Sequence, residues 1–332
     1  MGDLYPLLMQ PAFDPRPWGT KDLSPIYPNH RFNENIGESW LTGDGCKVVN
    51  GPLAGKSLAD LARTFGRELI GNAPRDPNRF PLLLKFLFPN EKLSLQVHPD
   101  DEAARAVGEP WGKTECWYVV DAKPGSQIAL GLKRGVTRAQ LETAIKQQTA
   151  EDLLNWINVY AGEMIYVAGG TVHTLGPGSI IVETQQQSDT TYRLYDYGRP
   201  RELHLERGLA AVKEKVSSGK TIRPAPHELG GNYHEHLISA PYFAVEKFST
   251  NEKQDFQTTL REDNKSSVQI LVVVEGCATV EVADAPPTTF SRGDAVVIPA
   301  SIGEFQLRPQ WHIEFLKASV PGRSLPEPET RM

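Results

Sequence analysis

Short β-rich segments separated by turn residues dominate this 332-residue chain, and they constrain its fold more than any other feature. Typical examples are TECWYVVDA, SIIVETQQ, VQILVVVEG and DAVVIPA, which begin at residues 114, 179, 268 and 294. Many short strands at close spacing are typical of β-sandwiches and β-barrels. We therefore expect a mainly β protein.

Helical patterns are fewer and lie in the N-terminal half. SLADLARTFGRELIG opens with Ser57 as a predicted N-cap, and TRAQLETAIKQQ opens with Thr137 and Gln140 as a predicted capping box. DDEAARAVG and TAEDLLNWI, from residues 100 and 149, also have helical patterns. We expect these helices to be insertions in a β scaffold.

A faint internal repeat runs through the chain. GEMIYVAGGTVHTL, from residue 162, aligns with GDAVVIPASIGEFQ from residue 293, and TECWYVVDA aligns with VQILVVVEG. The alignment sets Glu304 against His173 and Gln269 against Glu115. The second copy thus keeps the strands but not these side chains, so we expect the chemistry in the first copy.

The repeat predicts two domains. We expect an N-terminal domain over residues 1–225 and a C-terminal domain over residues 226–332, with the Pro- and His-containing segment TIRPAPHELGGNYHEH as the linker. A chain of this length is long enough for two hydrophobic cores. The first domain carries the helical insertions, and the second is expected to be structural.

Composition excludes several classes of partner. A formal charge of −6 and a pI near 5.8 give no general attraction to nucleic acid or acidic membranes, so an anionic ligand needs a local basic cluster. No apolar run approaches the roughly 18 residues of a membrane span, and the N-terminus does not look like a signal peptide. Three widely spaced cysteines indicate a reducing compartment. We expect a cytoplasmic protein, whose oligomeric state the sequence leaves open.

The segment LSLQVHPDD, from residue 93, places polar side chains on one face of a strand. Pro99 favours an extended backbone at His98, so Gln96 and His98 share that face. A second strand offers Glu115, and His173 follows the turn AGGT. Two imidazoles, one carboxylate and one amide oxygen suit a divalent first-row ion, and Zn²⁺ in a catalytic site suits them best because thiolates are missing.

Five ordered blocks of sequence carry a family resemblance: FPLLLKFL, LSLQVHPDD, GKTECWYV, GGTVHTLGPG and ETQQQSDTTYRLYDYGR. Together they closely resemble the type I mannose-6-phosphate isomerases, also called phosphomannose isomerases, in the shorter bacterial form. That family belongs to the cupin superfamily. The resemblance extends from about Trp18 to Arg207, and the C-terminal part fits the family by architecture more than by motif.

The resemblance implies two cupin (jelly-roll) β-barrels and one Zn²⁺ per chain, used to interconvert mannose 6-phosphate and fructose 6-phosphate. It implies Gln96, His98, Glu115 and His173 as the zinc ligands. It also implies Arg193 and Lys113 as catalytic residues and Ser94, Lys85, Glu183 and Arg199 as residues of the sugar-phosphate pocket. Larger family members have Lys at the position of Arg199, and Glu183 fits an ion pair with Lys or Arg as well as it fits a proton shuttle.

Three other functions are compatible with parts of this pattern. One is a metal-dependent isomerase or epimerase of another aldose, because fold does not fix substrate. Another is a non-catalytic sugar-binding or regulatory cupin, which would not need the full ligand set together with Arg193. A third is an iron oxygenase, whose facial triad could use His98, Glu115 and His173 but would have no use for Arg193 and the lysines.

Overall fold

The computed structural model describes residues 4–229, 232–250, 256–259, 267–322 and 324–332. The strands are β1 (Leu7–Leu8), β2 (Ala12–Thr20), β3 (Ile36–Trp40), β4 (Leu82–Leu87), β5 (Leu95–Val97), β6 (Glu115–Ala122), β7 (Gln127–Leu132), β8 (Leu154–Asn158), β9 (Met164–Val167), β10 (Val172–Leu175), β11 (Ser179–Gln186), β12 (Tyr192–Tyr195), β13 (Gly219–Thr221), β14 (His227–Leu229), β15 (Asn232–Ser239), β16 (Ala244–Thr250), β17 (Phe256–Thr259), β18 (Gln269–Val282), β19 (Ala285–Ser291), β20 (Ala295–Ile298), β21 (Glu304–Ser319) and β22 (Thr330–Arg331). The helices are α1 (Leu58–Phe65), α2 (Arg67–Ile70), α3 (Asp101–Ala106), α4 (Arg138–Lys146) and α5 (Leu205–Ala211), with a 3₁₀-helix at Ala150–Leu153.

Within these residues the strands form three antiparallel sheets. The first contains β2, β3, β4, β11, β6, β9, β13 and β22 in that order, and the second contains β12, β5, β10, β7 and β8. The third runs β1, β20, β18, β21, β16, β15 and β14, with β17 paired to β21 and β19 to β18. The prediction of a mainly β protein is confirmed.

The first and second sheets pack against each other through an apolar cluster. Trp117 and Ile165 from the first sheet and Ile128 and Leu130 from the second are nearly or fully buried in it.

In the part of the chain that is described, no helix is both long enough and apolar enough to cross a membrane. The arrangement as two barrels stays a prediction.

Each end of the chain pairs with a strand in a sheet that is formed mainly by the other half of the chain. Leu7 of β1 pairs with Val297 of β20 in the third sheet, although β1 lies at the N-terminal end. Conversely, Thr330 of β22 pairs with Thr221 of β13 in the first sheet. The sheets are therefore tied together by both ends of the chain, and the domain division at residues 225 and 226 stays a prediction.

Strand register supports the internal repeat. Glu115 of β6 pairs with Val167 of β9, and Gln269 of β18 pairs with Ile298 of β20. Val167 and Ile298 hold the same position in the two aligned segments. Gln269 thus occupies in the third sheet the place that Glu115 occupies in the first.

The predicted helix starts are confirmed for α1 and α4. The Ser57 side chain accepts a hydrogen bond from the backbone N–H of Asp60. Thr137 and Gln140 form the reciprocal capping box. DDEAARAVG also contains a helix, α3, whose N-cap is Asp100. Local capping chemistry therefore determined these three helix starts.

The helix predicted for TAEDLLNWI was wrong in its second half. Only Ala150–Leu153 is helical, as one 3₁₀ turn, and the following residues form β8. Ile157 of β8 pairs with Ile128 of β7 at the edge of the second sheet. Pairing with an existing strand outweighed the weak local helical pattern.

Candidate metal and substrate site

Three side chains that could hold a metal ion lie close together, one just after β5 and one each in β6 and β10. His98 directly follows β5, Glu115 is the first residue of β6, and His173 is the second residue of β10. One potential ligand atom from each lies within 4.8 Å of the other two. All three side chains are buried. The three residues that the sequence singled out therefore lie together, although they are up to 75 positions apart in the chain.

Backbone carbonyls orient both imidazoles. His98 Nδ1 lies 2.9 Å from the carbonyl oxygen of Thr190, and His173 Nδ1 lies 2.9 Å from that of Thr171. These contacts assign the proton of each neutral ring to Nδ1. Each Nε2 then faces Glu115 at 3.5 Å, His98 towards Oε2 and His173 towards Oε1. A ring fixed through its outer nitrogen is typical of a metal-ligating histidine.

Burial sets the protonation of these groups. It lowers the pKa of His98 well below its usual value and that of His173 to about 4, so both rings are neutral near pH 7. Burial, together with nearby Glu183, raises the pKa of Glu115 to about 7. Glu115 Oε1 has no hydrogen-bond partner among the described residues. Two neutral nitrogens and a buried carboxylate oxygen fit a divalent cation such as zinc.

Gln96 lies beside this cluster on β5. It pairs with His173 of β10 on one side and with Arg193 of β12 on the other. Its Nε2 is 3.2 Å from His173 Nε2, and Ser94 Oγ donates to its Oε1 at 3.1 Å. Rotating the terminal amide by half a turn exchanges the nitrogen and oxygen and points Oε1 at the cluster.

Two buried lysines alternate with carboxylates next to the metal donors. Lys113 Nζ lies 2.5 Å from Glu115 Oε2, 3.0 Å from His98 Nε2 and 3.6 Å from Glu183 Oε1. Lys85 Nζ lies 3.3 Å from the same Glu183 oxygen. Glu183 is thus shared by both ammonium groups, and it joins the metal donors to Lys85.

Glu183 is held as a carboxylate. Burial acts to raise its pKa, but the ammonium groups of Lys113 and Lys85 outweigh burial and lower the pKa below its usual value. Trp117 Nε1 also donates to its Oε2 at 2.9 Å. Glu183 is therefore paired with both lysines, and whether it also moves a proton stays open.

Sequence reasoning missed Glu38 and Arg16. Glu38 Oε2 lies 3.3 Å from Lys85 Nζ and accepts from Trp40 Nε1 at 2.7 Å. Arg16 reaches both Glu38 oxygens, at 3.3 and 3.4 Å. Although burial opposes it, Lys85 and Arg16 lower the pKa of Glu38 to about 2. The available signal was Glu38 in the strand IGESW, a charged residue in a short strand, as Lys85 is in LLLKFLF.

The two arginines named by the sequence have different surroundings. Arg193 is the cross-strand partner of Gln96. Its Nη1 donates to the carbonyl oxygen of Glu202 at 2.8 Å, and its buried Nε has no hydrogen-bond acceptor in the described part of the chain. The Arg199 guanidinium instead forms an ion pair with Asp196 at 2.8 Å and donates a hydrogen bond to the Lys92 carbonyl at the same distance. Neither Asp196 nor Lys92 is a metal donor, and the place of Arg199 in the pocket stays a prediction.

Comparisons with known proteins give one consistent result. The model of the family "Phosphomannose isomerase type I, catalytic domain" matches residues 9–131. Mannose-6-phosphate isomerase ManA of Bacillus subtilis is 35% identical over 318 residues, covering 91% of this chain and 95% of the relative. A mannose-6-phosphate isomerase of Streptococcus mutans is 33% identical over 311 residues, covering 91% and 94%.

Solved structures agree with the sequence relatives. The crystal structure of a mannose 6-phosphate isomerase from Bacillus subtilis superposes with a TM-score of 0.82 and 31% identity, covering 94% of this chain and 99% of that one. A phosphomannose isomerase variant from Salmonella typhimurium has a TM-score of 0.71 at 16% identity, covering 94% and 98%. The second likeness concerns the fold alone.

Proposed function

The chain belongs to the type I phosphomannose isomerase family, and we propose that it is a zinc-dependent aldose–ketose isomerase that interconverts mannose 6-phosphate and fructose 6-phosphate. One observation carries the proposal: two of the three clustered metal donors, Glu115 and His98, lie in contact with Lys113, and Lys113 in turn adjoins Glu183. A divalent cation and a fixed ammonium group would then both face one substrate.

The reaction moves protons without any net oxidation of the substrate. One proton leaves C2 of the aldose and returns at C1, while a hydroxyl proton passes from O2 to O1 through an enediol(ate). We assign Gln96, His98, Glu115 and His173 to hold the zinc, which when bound polarises the substrate oxygens. Negative charge develops on those oxygens, so cations that meet it there stabilise the transition state more than the ground state.

Lys113 and Arg193 supply the fixed positive charge in this proposal. Lys113 Nζ already contacts Glu115 and His98, so it can donate to a substrate oxygen that lies beside these residues. Arg193 has a buried Nε without a partner among the described residues, which leaves one donor for substrate. A guanidinium keeps its charge at any working pH, so Arg193 suits stabilising an enediolate and is a poor base.

The phosphate needs local positive charge because the protein as a whole carries a formal charge of −6. We assign Ser94, Lys85, Glu183 and Arg199 to the sugar-phosphate pocket. Lys85 supports the assignment as a buried ammonium beside Lys113, and Glu183 orients both lysines. Binding energy from a phosphate remote from the reacting carbons predicts a strong preference for phosphorylated over free mannose.

A coupled assay with mannose 6-phosphate tests the proposal. We expect zinc-dependent formation of fructose 6-phosphate and little turnover of free mannose at equal concentration. Comparable turnover of free mannose would favour an isomerase of another aldose, and no turnover of any aldose would favour a sugar-binding cupin. Metal analysis of the purified protein distinguishes zinc from the iron of an oxygenase.

In this proposal, the three cysteines indicate the cellular location. Cys46 and Cys116 are buried free thiols, and Cys277 is also unpaired. Unpaired cysteines are typical of reducing compartments. We infer a cytoplasmic enzyme acting on a small sugar phosphate.

A further inference from the structure

Asp101, the first residue of α3, joins separate parts of the chain and lies three positions after His98 in sequence. Its Oδ1 accepts hydrogen bonds from the backbone N–H of Gly112 at 3.0 Å and from Gln186 Nε2 at 2.9 Å. Its Oδ2 accepts from Tyr242 Oη at 3.1 Å and lies 3.5 Å from Arg75 Nη1. All four carboxylate contacts come from residues distant from Asp101 in sequence.

These contacts surround Lys113 on both sides. Asp101 holds the N–H of Gly112, and Gln186 Oε1 accepts from the N–H of Thr114 at 2.8 Å. Lys113 lies between Gly112 and Thr114, and its own N–H donates to the Pro99 carbonyl at 2.9 Å. The backbone of this segment is therefore fixed at three successive amides, two of them through Asp101 and its partner Gln186.

The packing around Asp101 leaves little room for the segment to shift. A methyl group added at Gly112 would lie 2.4 Å from the carbonyl carbon of Asp100 and 2.5 Å from the nitrogen of Asp101. One added at Gly169 would lie 2.7 Å from the Cα of Asp100. Backbone contacts this close transmit small displacements instead of absorbing them.

Tyr242 brings the third sheet into this arrangement. It lies in the turn between β15 and β16, and its hydroxyl donates to Asp101. Burial, together with Asp101, raises the pKa of Tyr242 to about 12, so the donor keeps its proton at working pH. A continuous chain of contacts thus extends from the third sheet through Asp101 to the amides that flank Lys113.

We propose that Asp101 is a positioning residue that places Lys113 for the reaction, and that Tyr242 links this function to the C-terminal part of the chain. The inference rests on the proposed function and deepens it, because it gives the third sheet a part in catalysis instead of a structural part alone. Lys113 is in a segment between α3 and β6, where these bonds hold the amides on both sides of it. Misplacement of a reacting group by about 1 Å costs on the order of a hundredfold in rate.

A double-mutant cycle tests whether Asp101 acts through Lys113. We expect Asp101→Ala to lower kcat by about ten- to a hundredfold, with KM nearly unchanged and zinc content retained. In the background of Lys113→Ala, the same change should cost less than about threefold, because the residue it positions is gone. Equal costs in both backgrounds, or loss of zinc from Asp101→Ala, would overturn the inference.

Two conservative variants keep the test decisive if Asp101→Ala folds poorly. Asp101→Asn keeps one oxygen acceptor for the Gly112 amide and should recover most of kcat. Tyr242→Phe removes one donor and should lower kcat severalfold, whereas its control Tyr233→Phe, exposed on β15, should not. If Tyr242→Phe and Tyr233→Phe have equal kcat, the C-terminal part has no role in placing Lys113. If Asp101→Asn has no higher kcat than Asp101→Ala, Asp101 is not the positioning residue.

The failure of this inference differs from the failure of the proposed function. If the parent enzyme does not isomerise mannose 6-phosphate, the proposed function fails. If Lys113→Ala keeps full activity, the catalytic assignment of Lys113 fails. If Lys113→Ala is impaired but Asp101→Ala costs the same with and without Lys113, the positioning role alone fails.

Discussion

Lys85 of β4 and Glu183 of β11 are direct cross-strand partners, with Nζ 3.3 Å from Oε1 and both side chains buried. Trp40 of β3 pairs with Lys85 on the other side, and Glu38 on that strand reaches the same ammonium group. One lysine therefore balances two buried carboxylates on neighbouring strands. Its removal would affect folding as well as substrate binding.

Lys85→Met should lower the free energy of unfolding by up to about 3 to 5 kcal/mol, because it removes the cation that two buried carboxylates share and leaves Glu38 to Arg16 and Glu183 to Lys113. Denaturant titration measures this change. The matched control is Lys146→Met, whose pair with Glu142 is exposed and is worth about 0 to 1 kcal/mol. A stability change near zero for Lys85→Met would contradict the structural part that these ion pairs give to Lys85.

Glu38→Gln tests the buried cluster through pH. The pKa of Glu38 is lowered to about 2 in the folded protein, so its ionised form stabilises the fold at neutral pH. This stabilisation is complete above the pKa of the unfolded chain and is lost as pH falls towards the folded value. The stability difference between parent and variant should therefore narrow by up to about 3 kcal/mol as pH falls from about 6 to about 2.

Chemical denaturation of both proteins across that pH range measures the effect. Glu142→Gln is the control, because its exposed pair with Lys146 contributes less than about 1 kcal/mol. A difference between parent and Glu38→Gln that stays constant with pH would contradict the role assigned to the carboxylate.

The sequence predicted the metal donors better than the charges around them. Period-two alternation placed Gln96 and His98 on one face of a strand and Glu115 on one face of another, because this pattern is local. Asp101 and Glu38 act through contacts with residues that lie far away in the chain. No local pattern reports such a contact, since an acid at a helix start or in a strand is ordinary in itself. Their roles appear only when the sheets bring the partners together.

The metal should be required and confined to the first repeat. Gln269 and Glu304 stand where Glu115 and His173 stand in the alignment, and Glu304 is exposed. We expect one zinc per chain by elemental analysis, loss of activity in chelator and recovery on adding zinc. Full activity in chelator, or two tightly bound ions, would contradict this expectation.

His173→Ala should abolish zinc binding, because it removes one of three donors that lie within 4.8 Å of each other. His204→Ala is the control, since His204 bonds the backbone N–H of Arg193 and is outside the donor cluster. Zinc content measured after dialysis separates the two. Retention of stoichiometric zinc by His173→Ala would remove this residue from the ligand set.

Arg193→Ala should lower kcat by about a hundred- to a thousandfold, the usual cost of removing one donor that stabilises developing negative charge. Zinc content should be retained, because among the described residues the guanidinium donates to the Glu202 carbonyl and not to a metal donor. For the same reason the melting temperature should change by only a few degrees. The control Arg207→Ala, exposed on α5, should leave kcat unchanged. If Arg193→Ala instead loses zinc, or keeps a near-normal kcat with a raised KM, then Arg193 holds the fold or the phosphate and does not act in the chemical step.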